Sequence, residues 1–149
     1  MIYAIINAKN EIYPPSSKLG DIRPHNIFIN DQGEVKAANL LSWPMELTNY
    51  AKGLENQVTY LAPEELKELE VGKLENENNE RSETFSIGLT LLSVANLTDF
   101  SDLYDLKGYR FDGEKLQQNL GYFIRNPAYS DIMKAMVCNL CSINETRRV

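Results

Sequence analysis

The run TFSIGLTLLSVANL, residues 84–97, decides how the rest of the chain must be arranged. Phe85, Ile87, Leu89, Leu91, Leu92, Val94 and Leu97 leave no polar face at helical spacing. A helix that is apolar all round belongs in the middle of a domain, enclosed by other elements. Gly88 within it costs about 1 kcal/mol relative to alanine, which predicts a second backbone packed closely against that position.

The flanking sequence supplies the elements that could enclose such a helix. On the C-terminal side, residues 99–121 read as loop-rich with short helical pieces, and 129–141 as a last amphipathic helix. That helix carries Cys138 and Cys141 three positions apart, on one face, where cysteine is an ordinary small buried hydrophobe. A zinc site would need two more soft ligands, and the single histidine, His25, lies far off in the sequence. On the N-terminal side, APEELKELE begins with a proline suited to a first helical turn. Residues 64–83 carry eight acids against three bases, with ENENNE at their centre, and a solvated insertion is expected over 65–82. Residues 42–60, broken by Pro44 and Gly53, read as a long loop. NIFIN-DQG-EVKAANLL predicts a β-hairpin whose turn is closed by Gly33. MIYAIINAKNEIY predicts a short helix stopped by Pro14 and Pro15.

Composition narrows the function classes. The chain has 149 residues, one domain's worth over 1–149, and its 43% hydrophobic content is enough for a real core. A net charge of −6 argues against a nucleic-acid or anionic-membrane partner. No apolar run is long enough to span a bilayer, so no membrane insertion is expected. No basic stretch precedes the first apolar residues, so a secretory signal is not expected, and the sequons at Asn96 and Asn144 then carry little weight. An intracellular domain, cytoplasmic or cytoskeletal, is the expectation.

The loop KLGDIRPHNIFIN (18–30) brings an acid, a base and an amide together as Asp21, Arg23 and Asn26 ahead of the hairpin. LGDIRPHN resembles the catalytic loop H-R-D-x-K-P-x-N of the eukaryotic protein kinases. ANLL stands where D-F-G would follow. YLAPEEL is similar to the end of the activation segment, with Ala62, Pro63 and Glu64 intact. ETFSIG is similar to D-x-W-S-x-G at the start of the family's central helix, with Glu83 for its aspartate and Gly88 for its glycine. INETRR is similar to the D-P-x-x-R-P element. The resemblance covers nearly the whole chain in the family's order. It implies a mostly α (α+β) fold like the kinase C-terminal lobe, with one small β-hairpin and no N-terminal lobe. It also implies an ion pair between Glu64 and Arg147 or Arg148.

The departures from the family separate by role. On the match, Asp21 takes the place of the catalytic aspartate, Arg23 of the loop lysine and Asn26 of the metal-binding asparagine. The D-F-G aspartate is replaced by Asn39, its phenylalanine by Leu40 and its glycine by Leu41. A neutral amide lacks the charge that a reluctantly dehydrated magnesium ion requires. Leu19 and Gly20 replace the loop histidine and arginine, Gln57 stands where a threonine is usual, and Phe28 matches the floor of the adenine pocket. Phosphoryl transfer is mostly positioning and charge neutralisation. Losing the phosphate and metal holders while Ala62, Pro63, Glu64, Glu83, Gly88, Arg147 and Arg148 keep a structural role implies a pseudokinase-like lobe.

No cofactor and no metal are expected, and Asp21 reads as a cap on loop backbone amides. The expected function is a non-catalytic interaction or scaffold module within a larger assembly, with a protein partner on the face of residues 19–41. Two alternatives stand beside it: half of an active kinase completed by another chain, and a purely structural building block, for instance cytoskeletal or ciliary.

Overall fold

The computed structural model describes residues 22–37, 60–71 and 80–148. The N-terminal helix expected before Pro14 lies outside them, as does the loop over 42–60 except for Tyr60.

Arg23 is extended, as the residue before a proline prefers to be, and Pro24–Asn26 forms a single 3-10 turn. Strands β1 (Ile27–Ile29) and β2 (Val35–Ala37) pair antiparallel, with Ile27 opposite Ala37 and Ile29 opposite Val35. Between them the Asn30 carbonyl accepts from Gly33 N–H at 2.9 Å, and Gly33 adopts φ +80. That left-handed step is the one a hairpin loop of this length requires. The Asn30 side chain also accepts from the Gln32 and Glu34 amides, which fixes the turn from inside.

Helix α1 (Pro63–Val71) starts on its proline, and the Glu65 carboxylate reaches back to the Ala62 N–H at 3.0 Å. This is one half of a capping box. Glu65 and Leu66 are buried in α1, and Ser82 is buried in the next helix. The expected insertion at 65–82 is therefore partly core: 65–71 and 80–82 belong to helices, and 72–79 lie outside the described residues.

Helix α2 (Glu80–Asn96) is the central element and begins one turn earlier than its apolar run. Phe85, Leu89, Leu91 and Leu92 are buried along it. It ends on Leu97, at φ +52, with Thr98 N–H donating to the Ser93 carbonyl at 3.2 Å. The position is usually glycine, because a Cβ there crowds the backbone.

Residues 99–121 differ from the loop-rich expectation. A 3-10 turn (Ser101–Leu103) leads into two short paired strands, β3 (Tyr104–Asp105) and β4 (Arg110–Phe111), and then into α3 (Gly113–Arg125). Among the described residues the fold is mostly helical, with two small sheets where one was expected. The ribbon is held by aromatic edges: Tyr104 against Phe111 at 5.2 Å, and Phe111 against Phe85 of α2 at 5.7 Å. Asp112 caps α3 by accepting from Lys115 N–H at 3.0 Å. Helix α4 (Asp131–Leu140) is capped in the same way by Ser130.

Helices α3 and α4 pack on α2, placing Leu116, Leu120, Phe123 and Val137 in one core with Phe85, Leu89 and Leu92. Gly88 makes the α2–α4 approach possible. A Cβ built there would lie 2.6 Å from Leu140 Cβ and 3.0 Å from both the backbone nitrogen and the sulfur of Cys141. A smaller cluster packs Ile27 and Val35 of the hairpin and Ile87 of α2 around Ile22, which links the hairpin to α2.

Candidate functional site

Two groups of sequence-matched residues can be placed, and both converge on α2. The first is the loop before the hairpin. The Ile22 carbonyl accepts from Thr90 Oγ1 of α2 at 3.3 Å, while Ile22 itself is buried. The 3-10 turn then closes with the Asn26 N–H donating to the Arg23 carbonyl at 3.0 Å. Asn26 is buried, Arg23 is half-buried and His25 is exposed. The turn forms because Pro24 presets its first dihedral. Asp21, Asn39, Leu40 and Leu41 lie outside the described residues, as do Leu19, Gly20 and Gln57.

The second group is a closed electrostatic node. Arg148 is the arginine that meets Glu64, while Arg147 is exposed on the preceding 3-10 turn (Glu145–Arg147). The Arg148 side chain is fully buried and that of Glu64 is 18% exposed. Nη1 donates to Glu64 Oε1, and Nη2 donates to Oε2 at 2.9 Å, the two-pronged geometry that makes arginine–carboxylate pairs strong. The remaining donors go to backbone carbonyls: Nε to Ser142 at 2.6 Å, Nη1 to Arg81 at 3.2 Å, and Nη2 to Ile143 at 3.3 Å. All five guanidinium N–H groups thus have acceptors. The guanidinium centre sits 4.8 Å from the centre of the Phe85 ring, a cation–π contact strengthened by burial. Ser82 donates its hydroxyl to Glu64 Oε1 at 3.0 Å.

Burying a charge is tolerable only when it is paired and hydrogen-bonded, and this node meets both conditions. With every prong occupied, the arrangement is suited to tying segments together rather than to moving a proton. It joins the start of α1, the first turns of α2 and the segment after α4. Ser82, Phe85 and the three carbonyls were not legible as partners. Ser82 and Phe85 stand three apart on one helix face, which was their only signal.

The approach to α1 is pinned independently. Tyr60 donates its hydroxyl to Ser93 Oγ at 3.0 Å, the Tyr60 carbonyl accepts from Ser86 Oγ at 2.8 Å, and the Leu61 carbonyl accepts from Tyr104 hydroxyl at 2.8 Å. Ala62 and Pro63 are buried between these bonds and the core. Burial raises the pKa of Tyr60 and pushes that of Tyr104 well above the ordinary value, with Glu65 nearby adding to the second. Glu83 is buried in the first turn of α2.

The cysteines are both free thiols, with Cys141 buried against Gly88 and Cys138 half-buried. Burial raises both pKa values, the reverse of what a reactive thiolate needs. Among the described residues no three of His, Cys, Asp or Glu stand close enough to hold a metal ion. No helix among them is long and apolar enough to cross a membrane.

The hairpin differs from expectation in one respect. Alternation along a strand should hide every second side chain, yet Phe28 is 58% and the adjacent Ile29 61% exposed. Ile27 and Val35 are half-buried and pack, together with Ile87, against Ile22. Compared with known proteins, the chain matches no family model and has no significant match among curated sequences.

Proposed function

We propose that the chain is a non-catalytic module on the plan of the kinase C-terminal lobe, acting through contact with other proteins. The observation that carries this reading is the Glu64–Arg148 fork. It joins the two motifs that the resemblance pairs, and it binds them as a mechanical tie with no donor to spare. Beside it, the sequence offers Asn39, Leu40 and Leu41 where a magnesium-holding aspartate and its flexible glycine would be needed. Two free thiols fit the reducing interior of a cell.

The partner would cover the face of residues 19–41, where Phe28 and Ile29 stand exposed side by side. Contiguous exposed apolar surface is what marks a contact site, and these two adjacent side chains would contribute to such a patch. Titration with Mg-ATP, followed by thermal shift, tests the non-catalytic reading. The melting temperature should not move. A saturable rise would favour the alternative of a kinase half completed by another chain. Phe28→Ser with Ile29→Ser tests the contact surface. The double variant should fold unchanged and lose apolar-dye binding and any self-association of the parent. A parent that already runs as a monodisperse monomer without dye binding would overturn the partner-face reading.

A further inference from the structure

We draw no further inference here: the strongest candidate, the open cleft of about 470 Å³ between the β3–β4 ribbon and the start of α3, has three of its four carboxylates, Asp102, Asp105 and Asp112, engaged by Lys115 and by turn and cap amides, and nothing in the structure shows what would cover it.

Discussion

Replacing Gly88 by alanine sets two effects of opposite sign against each other. Helix propensity alone favours the change by about 1 kcal/mol, since glycine wastes backbone entropy in the middle of a helix. Packing opposes it. The new Cβ would lie 2.6 Å from Leu140 Cβ and 3.0 Å from Cys141 N and Sγ. Carbon atoms are comfortable at about 3.5–4.0 Å, so α2 and α4 must separate by roughly 1 Å along their closest contact. Two of the three obstructing atoms are a Cβ and a backbone nitrogen, neither of which can rotate away. Overpacking of this kind costs about 1–3 kcal/mol, occasionally more, and the loosened contact also weakens burial around Leu89 and Val137. We expect Gly88→Ala to destabilise the chain by up to about 2 kcal/mol net. Gly121 of α3 provides the control, because a Cβ there meets nothing nearer than the Arg125 guanidinium at 3.7 Å. Gly121→Ala should show propensity alone and stabilise by roughly 0.5–1 kcal/mol. Urea unfolding of both variants beside the parent measures the difference, with equal m-values as the condition for comparing midpoints. If Gly88→Ala were as stabilising as Gly121→Ala, the close approach of α4 to α2 would be wrong.

Removing the Arg148 side chain strands the Glu64 carboxylate, and Arg148→Ala should cost about 3–5 kcal/mol. Arg147→Ala, at an exposed position, should fall within roughly 0.5 kcal/mol of the parent, and similar losses at both sites would refute the assignment. Leu97→Gly should stabilise by roughly 0.5–1 kcal/mol, since it relieves φ +52 at a residue that is 91% exposed and has little packing to lose. A drop in denaturation midpoint would show that the Leu97 side chain matters to the fold. Burial raises the titrations of Cys138, Cys141, Tyr60 and Tyr104 in the folded chain, which favours their neutral forms there. Stability from these groups is fully present below the unfolded values, 9.0 for the thiols and 10.0 for the phenols, and is lost as pH rises through them towards the raised folded values. Denaturant midpoints should therefore fall steadily above about pH 9, and a flat profile to about pH 11 would contradict the buried positions of these side chains.

What could be read from the sequence was set by local rules with one outcome. Asn30-Asp31-Gln32-Gly33 admits few alternatives to a tight turn, Pro63 marks a helix start, and an all-apolar helix has nowhere to go except the interior. Gly88 was legible because a costly residue in such a helix needs a packing reason. Helix α3 was missed although its signals were present: Leu116, Leu120 and Phe123 follow helical spacing behind the cap residue Asp112. Gly113 and Gly121 obscured them, and both are tolerated because tertiary contacts outweigh propensity. The β3–β4 ribbon had no sequence signal at all, being two residues to a side and held by aromatic contacts from distant parts of the chain. The exposure of both Phe28 and Ile29 was equally hidden. Period-two alternation assumes a face covered along its whole length, whereas here Ile27 and Val35 pack around Ile22 and Ile29, directly opposite Val35, stays exposed.

Glu64 and Arg148 are 84 positions apart, and that separation has a consequence for the order of folding. At a synthesis rate of about 5–20 residues per second, Glu64 precedes Arg148 by roughly 4–17 seconds, during which its carboxylate has only water and the Ser82 hydroxyl to meet it. A contact spanning so much chain closes late, after the local packing of α2 against α3 and α4 has shortened the remaining loop. An interaction absent from the folding transition state leaves the folding rate nearly untouched and acts on unfolding. Cutting the fork should thus accelerate unfolding on the order of 10²–10⁴-fold while refolding proceeds almost as before. The arginine is in this sense a clasp fastened last, governing how long the folded chain endures rather than how quickly it forms.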